Sequence, residues 1–420
     1  MHRHAALRTT FDIDAEQPTQ IVHPTMSIPL SVVDLRSRSV SKGQSHSQSE
    51  QQIAVQQLSQ QEAQETFDIV QGPLVRTTLL KLAEKQHILL ITIHHLITDG
   101  TSIVIFLQEL AAVYQAFSQG QPSPLPELPM QYADFIVWQR QWLQKDVLTK
   151  LQSYWQQKLA PHLVVPEIKT DMPRPAVPRL KAAIYPFQIS EALSTQLKAL
   201  SKQEGCTLFM LLLAALQILV HHYTGQLNFC IGTTVANRNR AEFEALMGCF
   251  INQIPIKANL EDNPTFRQVL HQVRQTTLEA YTHSALPLKL ILETVPLLKT
   301  DNLHTFPLPI VMVFHNEIPL MTESVKLSDC LSVRGKNRKI RGSRRDLTLH
   351  MVETQKGIWG EMEYDIDVFF ESTIKTIVED FICLLQGIAN TPDPPISEGL
   401  GKQLWLTSKL YQQNLDSIKN

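Results

Sequence analysis

Apolar and polar positions follow two different periods along this chain, and the switches between them outline its elements. Residues 87–93 form a continuous β-branched and apolar run of strand length. From 101 to 117 the period becomes helical, with Ile105, Leu107, Leu110, Ala111 and Tyr114 on one face. Helical spacing resumes over 130–158. Then Pro161, Pro166, Pro173, Pro175 and Pro178 crowd into one stretch. Prolines at that density exclude regular structure and stiffen the chain, which predicts an N-terminal lobe over 1–160, an interlobe linker over 161–180, a C-terminal lobe over 181–395 and a tail over 396–420. The second lobe opens with a strand at 183–189. Ser190 caps a helix over 191–204 that Gly205 ends, and Thr207 caps an apolar helix reaching Tyr223. Strands follow at 228–236 and 309–314, with an amphipathic helix at 266–281 between them. A hairpin of 347–353 and 358–364 turns through Gln355-Lys356-Gly357, and a last helix covers 372–388. Helices and strands alternate in both lobes, so the fold class is α/β, built as α/β sandwiches. No repeat of fixed short period is present.

The length of 420 residues suits two domains, each large enough to bury a core. With 43% hydrophobic and 19% charged residues the composition is that of a globular protein. A net charge of −2 supplies no global field for nucleic acid or an anionic membrane. The apolar stretch 206–220 is shorter than the about 20 residues a bilayer requires, and Gln217, His221 and His222 interrupt or border it. It therefore reads as a buried core helix. The opening residues MHRHAALRTTF lack the apolar core of a signal peptide. Cys206, Cys230, Cys249, Cys330 and Cys383 are odd in number and form no CxxC pair, so reduced thiols and a cytoplasmic location are expected, with neither a zinc site nor a disulfide framework. Residues 34–62 are rich in Ser and Gln and read as a mobile loop or a polar helix.

The candidate chemistry sits at His94-His95-Leu96-Ile97-Thr98-Asp99-Gly100, in a tight connection between a buried strand and a helix. Adjacent histidines on a strand end point to opposite sides, so only one can face a cleft. Three residues separate His95 from Asp99, which in a turn brings the carboxylate back beneath the motif. Buried there, Asp99 requires a cation or several N–H donors. Gly100 permits a sharp turn, and its N–H at the helix start can steady developing negative charge. An imidazole suits acyl transfer to an amine, because it accepts a proton near neutral pH without a nucleophilic Ser or Cys. The bland reading of such a pair is packing. Metal ligation is disfavoured, since the two rings diverge and no third ligand stands at a recognisable spacing.

At this motif the sequence resembles the condensation domains of nonribosomal peptide synthetases. Residues 3–11 look like the family's RHxxLRTxF; Phe67-Asp68-Ile69 with residues 72–76 like FDLxxGPLxR; residues 94–102 like HHxxxDGxS; and residues 132–138 like YxDFAxW. Residues 171–175 are similar to its linker DxPRP, residues 232–238 to GTPxAxR, residues 247–252 to IGxFxN, residues 346–349 to DLxL and residues 361–364 to the late EY strand. Residues 283–290, with Pro287, are a looser echo of HQDxPFExL. These matches run in the family's order over nearly the whole chain. The resemblance implies a chloramphenicol-acetyltransferase-like fold of two lobes in a V, with a tunnel that admits phosphopantetheine arms from two carrier proteins. It implies amide bond formation between a donor acyl or peptidyl thioester and an acceptor aminoacyl thioester. No cofactor would be bound, because the arms belong to the partner carrier domains, beside an adjacent adenylation domain. His95 would be general base or orient the amine, with Gly100 beside it. His94 would be structural, Asp99 would pair with Arg238 from the other lobe, and Asn252 and Ser102 would lie at the tunnel. Tyr132 and Trp138 would pack the first lobe.

Some features depart from the pattern. The family domain opens about one strand and one helix earlier, with an SxAQxRxW-type motif. Cys249 and Gln253 stand where the family favours Phe and Thr. The basic run 334–345 reads as a solvated loop or a dock for acidic carrier proteins. Four readings stay open: a catalytic condensation domain, a non-catalytic remnant that binds carrier proteins, an epimerization domain, and a standalone acyltransferase. The intact His95, Asp99 and Gly100 favour the first over the second, and DLTL with the ISEG ending favours it over the third.

Overall fold

The computed structural model describes residues 1–13, 18–36, 47–159, 164–177, 179, 181–295, 308–315, 324–326, 332–334, 340–341 and 345–397. The chain forms two compact units, one of residues 1–142 with 238–250 and one of the remainder.

In the first unit a 3-10 turn, Ala5–Arg8, leads into an antiparallel ribbon of β1 (Thr9–Asp12) and β2 (Thr19–Val22). β3 (Leu30–Asp34) runs parallel to β4 (Val75–Ala83), which pairs antiparallel with β5 (Gln86–Ile93). The parallel pair needs a crossover, and α1 (Ser47–Gln64) lies in it. Of the two readings of 34–62, the described part is the polar helix; 37–46 lie outside the described residues. α1 is held by Ala54 against Leu35 and Leu80, and by the Gln51 amide donating to the carbonyls of Leu35 and Leu82. α2 (Gly100–Ser118) buries Leu107, Ala111 and Ala116, but Tyr114 at the end of the expected stripe is 50% exposed. α3 (Tyr132–Trp142) and the single turn α7 (Ala241–Glu244) complete the unit.

The expected helix over 130–158 is two helices, α3 and α4 (Lys145–Leu159), with Lys145 in the left-handed region at φ 48°. The break sends their apolar faces to different cores. Phe135 of α3 packs with Phe243, Leu246 and Phe250, whereas Leu151, Trp155 and Leu159 of α4 enter the core of the second unit. The units therefore divide at 142 and 143, ahead of the proline stretch, and the scheme of 1–160, 161–180 and 181–395 does not coincide with them. The described part of the expected linker is pinned to the second unit. Asp171 accepts from the Phe370 N–H and the Thr373 hydroxyl, Arg174 pairs with Asp346, and Arg179 with Asp367. The DxPRP and DLxL motifs thus answer one another through a single ion pair.

The second unit carries a seven-stranded sheet. Its strands are β6 (Ala182–Ile189), β7 (Asn228–Val235), β8 (Asn252–Asn259), β9 (Ile310–His315), β12 (Ile340–Arg341), β13 (Leu347–Thr354) and β14 (Gly357–Asp365). Their order is β12-β6-β14-β13-β9-β7-β8, and β9 runs parallel to both neighbours. A separate ribbon joins β10 (Ser324–Lys326) to β11 (Ser332–Arg334). α5 (Glu191–Gln203), α6 (Leu208–Thr224), α8 (Phe266–Thr282), α9 (Leu288–Thr294) and α10 (Glu371–Asn390) supply the helical layer. Ser190 and Thr207 cap α5 and α6 through the N–H groups of Leu193 and Met210. Every residue from Met210 to Val220 of α6 is buried, as expected of a core helix. Gly357 at φ 111° closes the β13–β14 hairpin where expected. Most of the basic run 334–345, Cys330 and the tail from 398 lie outside the described residues.

Candidate active site

β5 ends at Ile93, and the chain turns at once into a 3-10 turn, His95–Ile97. The turn, rather than the pleat of a strand, separates the two histidines. His94 caps it: its main-chain N–H donates to the Leu74 carbonyl at 3.0 Å, and its Nδ1 accepts the Leu96 N–H at 3.1 Å. The Phe67 and His94 rings pack edge to face at 5.6 Å, and the Arg76 guanidinium lies over the Phe67 ring at 3.9 Å. Phe67 and Arg76 of the FDIxxGPLxR stretch thus seat His94. Burial, with the neighbouring His95, pushes the His94 imidazole below its ordinary range. His95 is exposed. Its Nδ1 lies 3.7 Å from the Cys249 thiol, and its Nε2 has no hydrogen-bond partner among the described residues.

Below the turn lies a buried polar network centred on Asp99. Asp99 is the N-cap of α2, with its side chain wholly buried. Its Oδ1 accepts from the Ser102 N–H at 2.8 Å and the Ser102 hydroxyl at 2.7 Å. Its Oδ2 accepts from the Phe250 N–H at 3.0 Å, and Arg238 Nη2 reaches both oxygens at 3.1 and 3.3 Å. A carboxylate removed from water costs several kcal/mol unless it is paired and fully hydrogen-bonded, and here cation and N–H donors are both supplied. Arg238 also donates from Nη1 to the carbonyls of Phe243 and Leu246, and its guanidinium lies 4.0 Å from the Phe250 ring. The resemblance places Arg238 on the opposite lobe. It belongs instead to the segment 238–250, which joins the first unit because Phe243, Leu246, Met247 and Phe250 fill that unit's core.

The same network fixes residues 248–250. The Gly248 N–H donates to Ser102 Oγ, the Ser102 hydroxyl lies 2.8 Å from the Gly248 carbonyl, and the Tyr132 hydroxyl donates to the Cys249 carbonyl at 2.7 Å. A Cβ on Gly248 would sit 2.1 Å from the Tyr132 ring, so only glycine fits. Tyr132 and Trp138 pack with Phe135, Phe243 and Phe250, as expected of them. Ser102, expected at a substrate tunnel, has no exposed surface and spends its hydroxyl on Asp99, Gly248 and Arg238. Gly100 is exposed as the first residue of α2.

Asn252, in the second unit, is partly buried and fully engaged. Its Nδ2 donates to the carbonyls of Ser284 and Leu286, and its Oδ1 accepts from the N–H groups of Gln253 and Leu288. It therefore clamps the loop that echoes HQDxPFExL. The contributions of Gly248, Cys249, Phe250 and Phe67 were not read from the sequence. The first three stand inside a stretch already matched to the family, whose spacing alone does not reveal which backbone groups turn toward Asp99. Among the described residues, no cluster of three or more His, Cys, Asp or Glu side chains is arranged to hold a metal ion.

The family model for the condensation domain matches residues 1–414. The chain belongs to the condensation-domain family. Condensation domains of this kind are acyltransferase-type, peptide-bond-forming enzymes of nonribosomal peptide synthetases. This condensation domain is 39% identical over 396 residues to one polypeptide of the linear gramicidin synthase of Brevibacillus parabrevis, covering 94% of this chain and 5% of that protein. It is 31% identical over 398 residues to surfactin synthase subunit 1 of Bacillus subtilis (strain 168), covering 95% of this chain and 10% of the relative. It thus spans a small fraction of these multidomain relatives. Among solved structures it is similar to the X-domain from teicoplanin biosynthesis, with a TM-score of 0.81 at 23% identity over 94% of this chain and 86% of that one. It is similar also to a four-domain nonribosomal peptide synthetase bound to AMP and glycine, with a TM-score of 0.79 at 22% identity over 95% of this chain and 30% of that one. The fold is the chloramphenicol-acetyltransferase-like α/β fold of condensation domains.

Proposed function

We propose that this domain forms an amide bond between a carrier-bound acyl or peptidyl thioester and the amine of a carrier-bound aminoacyl thioester, acting in the cytoplasm beside carrier and adenylation domains. The observation that carries the reading is the exposed His95 ring at the tip of a turn whose base is a buried network in which both Asp99 oxygens are hydrogen-bonded. A rigid base under an exposed imidazole is what positioning catalysis needs. The amine nitrogen attacks the thioester carbon; the C–N bond forms, the C–S bond breaks, and the amine proton ends on the departing pantetheine sulfur. His95 either relays that proton or orients the amine, and the N–H of Gly100 in the first turn of α2 favours charge growing on the acyl oxygen. Asp99, Arg238 and His94 hold the motif. Ser102 serves it from below, and Asn252 shapes the loop after α8. The phosphopantetheine arms come with the carriers, and the domain itself holds no cofactor.

The test is product formation from donor and acceptor both loaded on carrier proteins, with the wild-type chain and His95→Ala compared by mass spectrometry. The variant is expected to lose roughly 10²–10⁴-fold in rate while its circular dichroism and melting temperature stay unchanged. Near-wild-type turnover by the folded variant would remove His95 from the chemistry. Carrier binding without product in the wild type would favour a docking module instead.

A further inference from the structure

The amide-forming reading leaves open which nitrogen of His95 carries the proton, and one contact bears on it. We infer that Cys249 is a positioning residue that donates its S–H to His95 Nδ1 and so holds the imidazole in the tautomer with its proton on Nε2. The Sγ–Nδ1 separation is 3.7 Å, within reach of a thiol hydrogen bond. Cys249 sits on a fixed main chain. Its backbone is gripped on three sides: Gly248 by Ser102, the Cys249 carbonyl by Tyr132, and the Phe250 N–H by Asp99.

The direction of donation follows from the chemistry of the pair. A neutral thiol is a weak donor and a weak acceptor, whereas the unprotonated imidazole nitrogen is a good acceptor. The thiol stays neutral, because burial, reinforced by Asp99 and only partly opposed by Arg238, pushes Cys249 up to about 11. With Nδ1 occupied as an acceptor, Nε2 presents an N–H rather than a lone pair. His95 then has no free lone pair for the amine proton, which rules out the relay and leaves it to position the reactants by donating a hydrogen bond to the thioester oxygen as negative charge grows there. The amine proton passes to the departing sulfur as the C–N bond forms and the C–S bond breaks.

Long-range proton–nitrogen NMR spectra of the ¹⁵N-histidine-labelled protein test this without substrate, the His95 signals being those missing from His95→Ala. The expected wild-type result is a pyridine-like Nδ1 and a pyrrole-like Nε2. Cys249→Ser, which keeps a donor, is expected to preserve that pattern and keep condensation within about twofold of wild type, whereas Cys249→Ala mixes the tautomers and lowers turnover by about threefold to tenfold, as the loss of one such bond allows. A pyrrole-like Nδ1 in the wild type overturns the inference, and so does an unchanged tautomer in folded Cys249→Ala. Should Cys249→Ala fail to fold, the wild-type and Cys249→Ser spectra still decide. The spectra read the tautomer alone, so this inference can fail while the His95→Ala assay upholds amide formation, and the reverse.

Discussion

The Asp99 carboxyl group has no exposed side-chain surface and accepts from four donor groups drawn from Ser102, Phe250 and Arg238. Replacing a buried ion pair by apolar groups can be neutral, but removing one partner strands the other. Asp99→Ala leaves the Arg238 guanidinium buried without its counter-charge and the Phe250 N–H and Ser102 N–H without acceptors. The variant is expected to lose about 3–5 kcal/mol of unfolding free energy, read as a lower urea midpoint at unchanged slope. An unchanged midpoint would show that the pair contributes nothing to folding.

At the scale of elements, the short segment 238–250 joins the motif to its support. Its tightest point is Gly248, packed on the Tyr132 ring of α3. Gly248→Ala forces that ring or the backbone to move, and overpacking of this kind costs about 1–3 kcal/mol. Calorimetry should show a lowered melting temperature, and the condensation rate should fall as well, because the same backbone carries the Phe250 N–H to Asp99; a variant with wild-type melting and rate would mean the ring moves aside freely. Most helices and the late hairpin were legible from the sequence, since apolar periodicity with Ser190, Thr207 and Gly357 at the expected caps and turn marks them locally. β1 to β4 and β8 were not, as their pairing depends on partners distant along the chain. The split of 130–158 was missed for a related reason: both halves are amphipathic, and only the cores they enter tell them apart. Likewise the demand of Asp99 for donors was legible from its position, but the Phe250 N–H that meets it was not. The placement of Arg238 in the first unit was also hidden, because β7 before it and β8 after it belong to the second.

At the scale of the whole molecule, burial depresses three imidazoles among the described residues. His4 resists protonation mainly through desolvation, with Glu109 opposing; so does His222, with Asp380 opposing; and His94 does so with His95 adding to the effect. In the unfolded chain each titrates near 6.5, so as pH falls the unfolded state takes up protons first. Stability is therefore full above 6.5 and is lost as pH falls from there through the depressed folded values. The melting temperature is expected to be level from pH 8 to 7 and to decline between pH 6.5 and 5, before most carboxylates titrate. A level profile through pH 5 would show that these rings are hydrated in solution.

The placement of Arg238 also sets an order in time. A ribosome makes a chain from its N-terminal side onward, and Asp99 emerges 139 positions ahead of the cation that neutralises it. Until Arg238, Phe243 and Phe250 have followed, the N-terminal unit lacks its counter-ion and part of its apolar interior, although every residue up to Trp142 has been made. The unit whose larger part is translated first is thus obliged to wait for its last pieces, and through that interval it exposes apolar surface of the kind that chaperones cover.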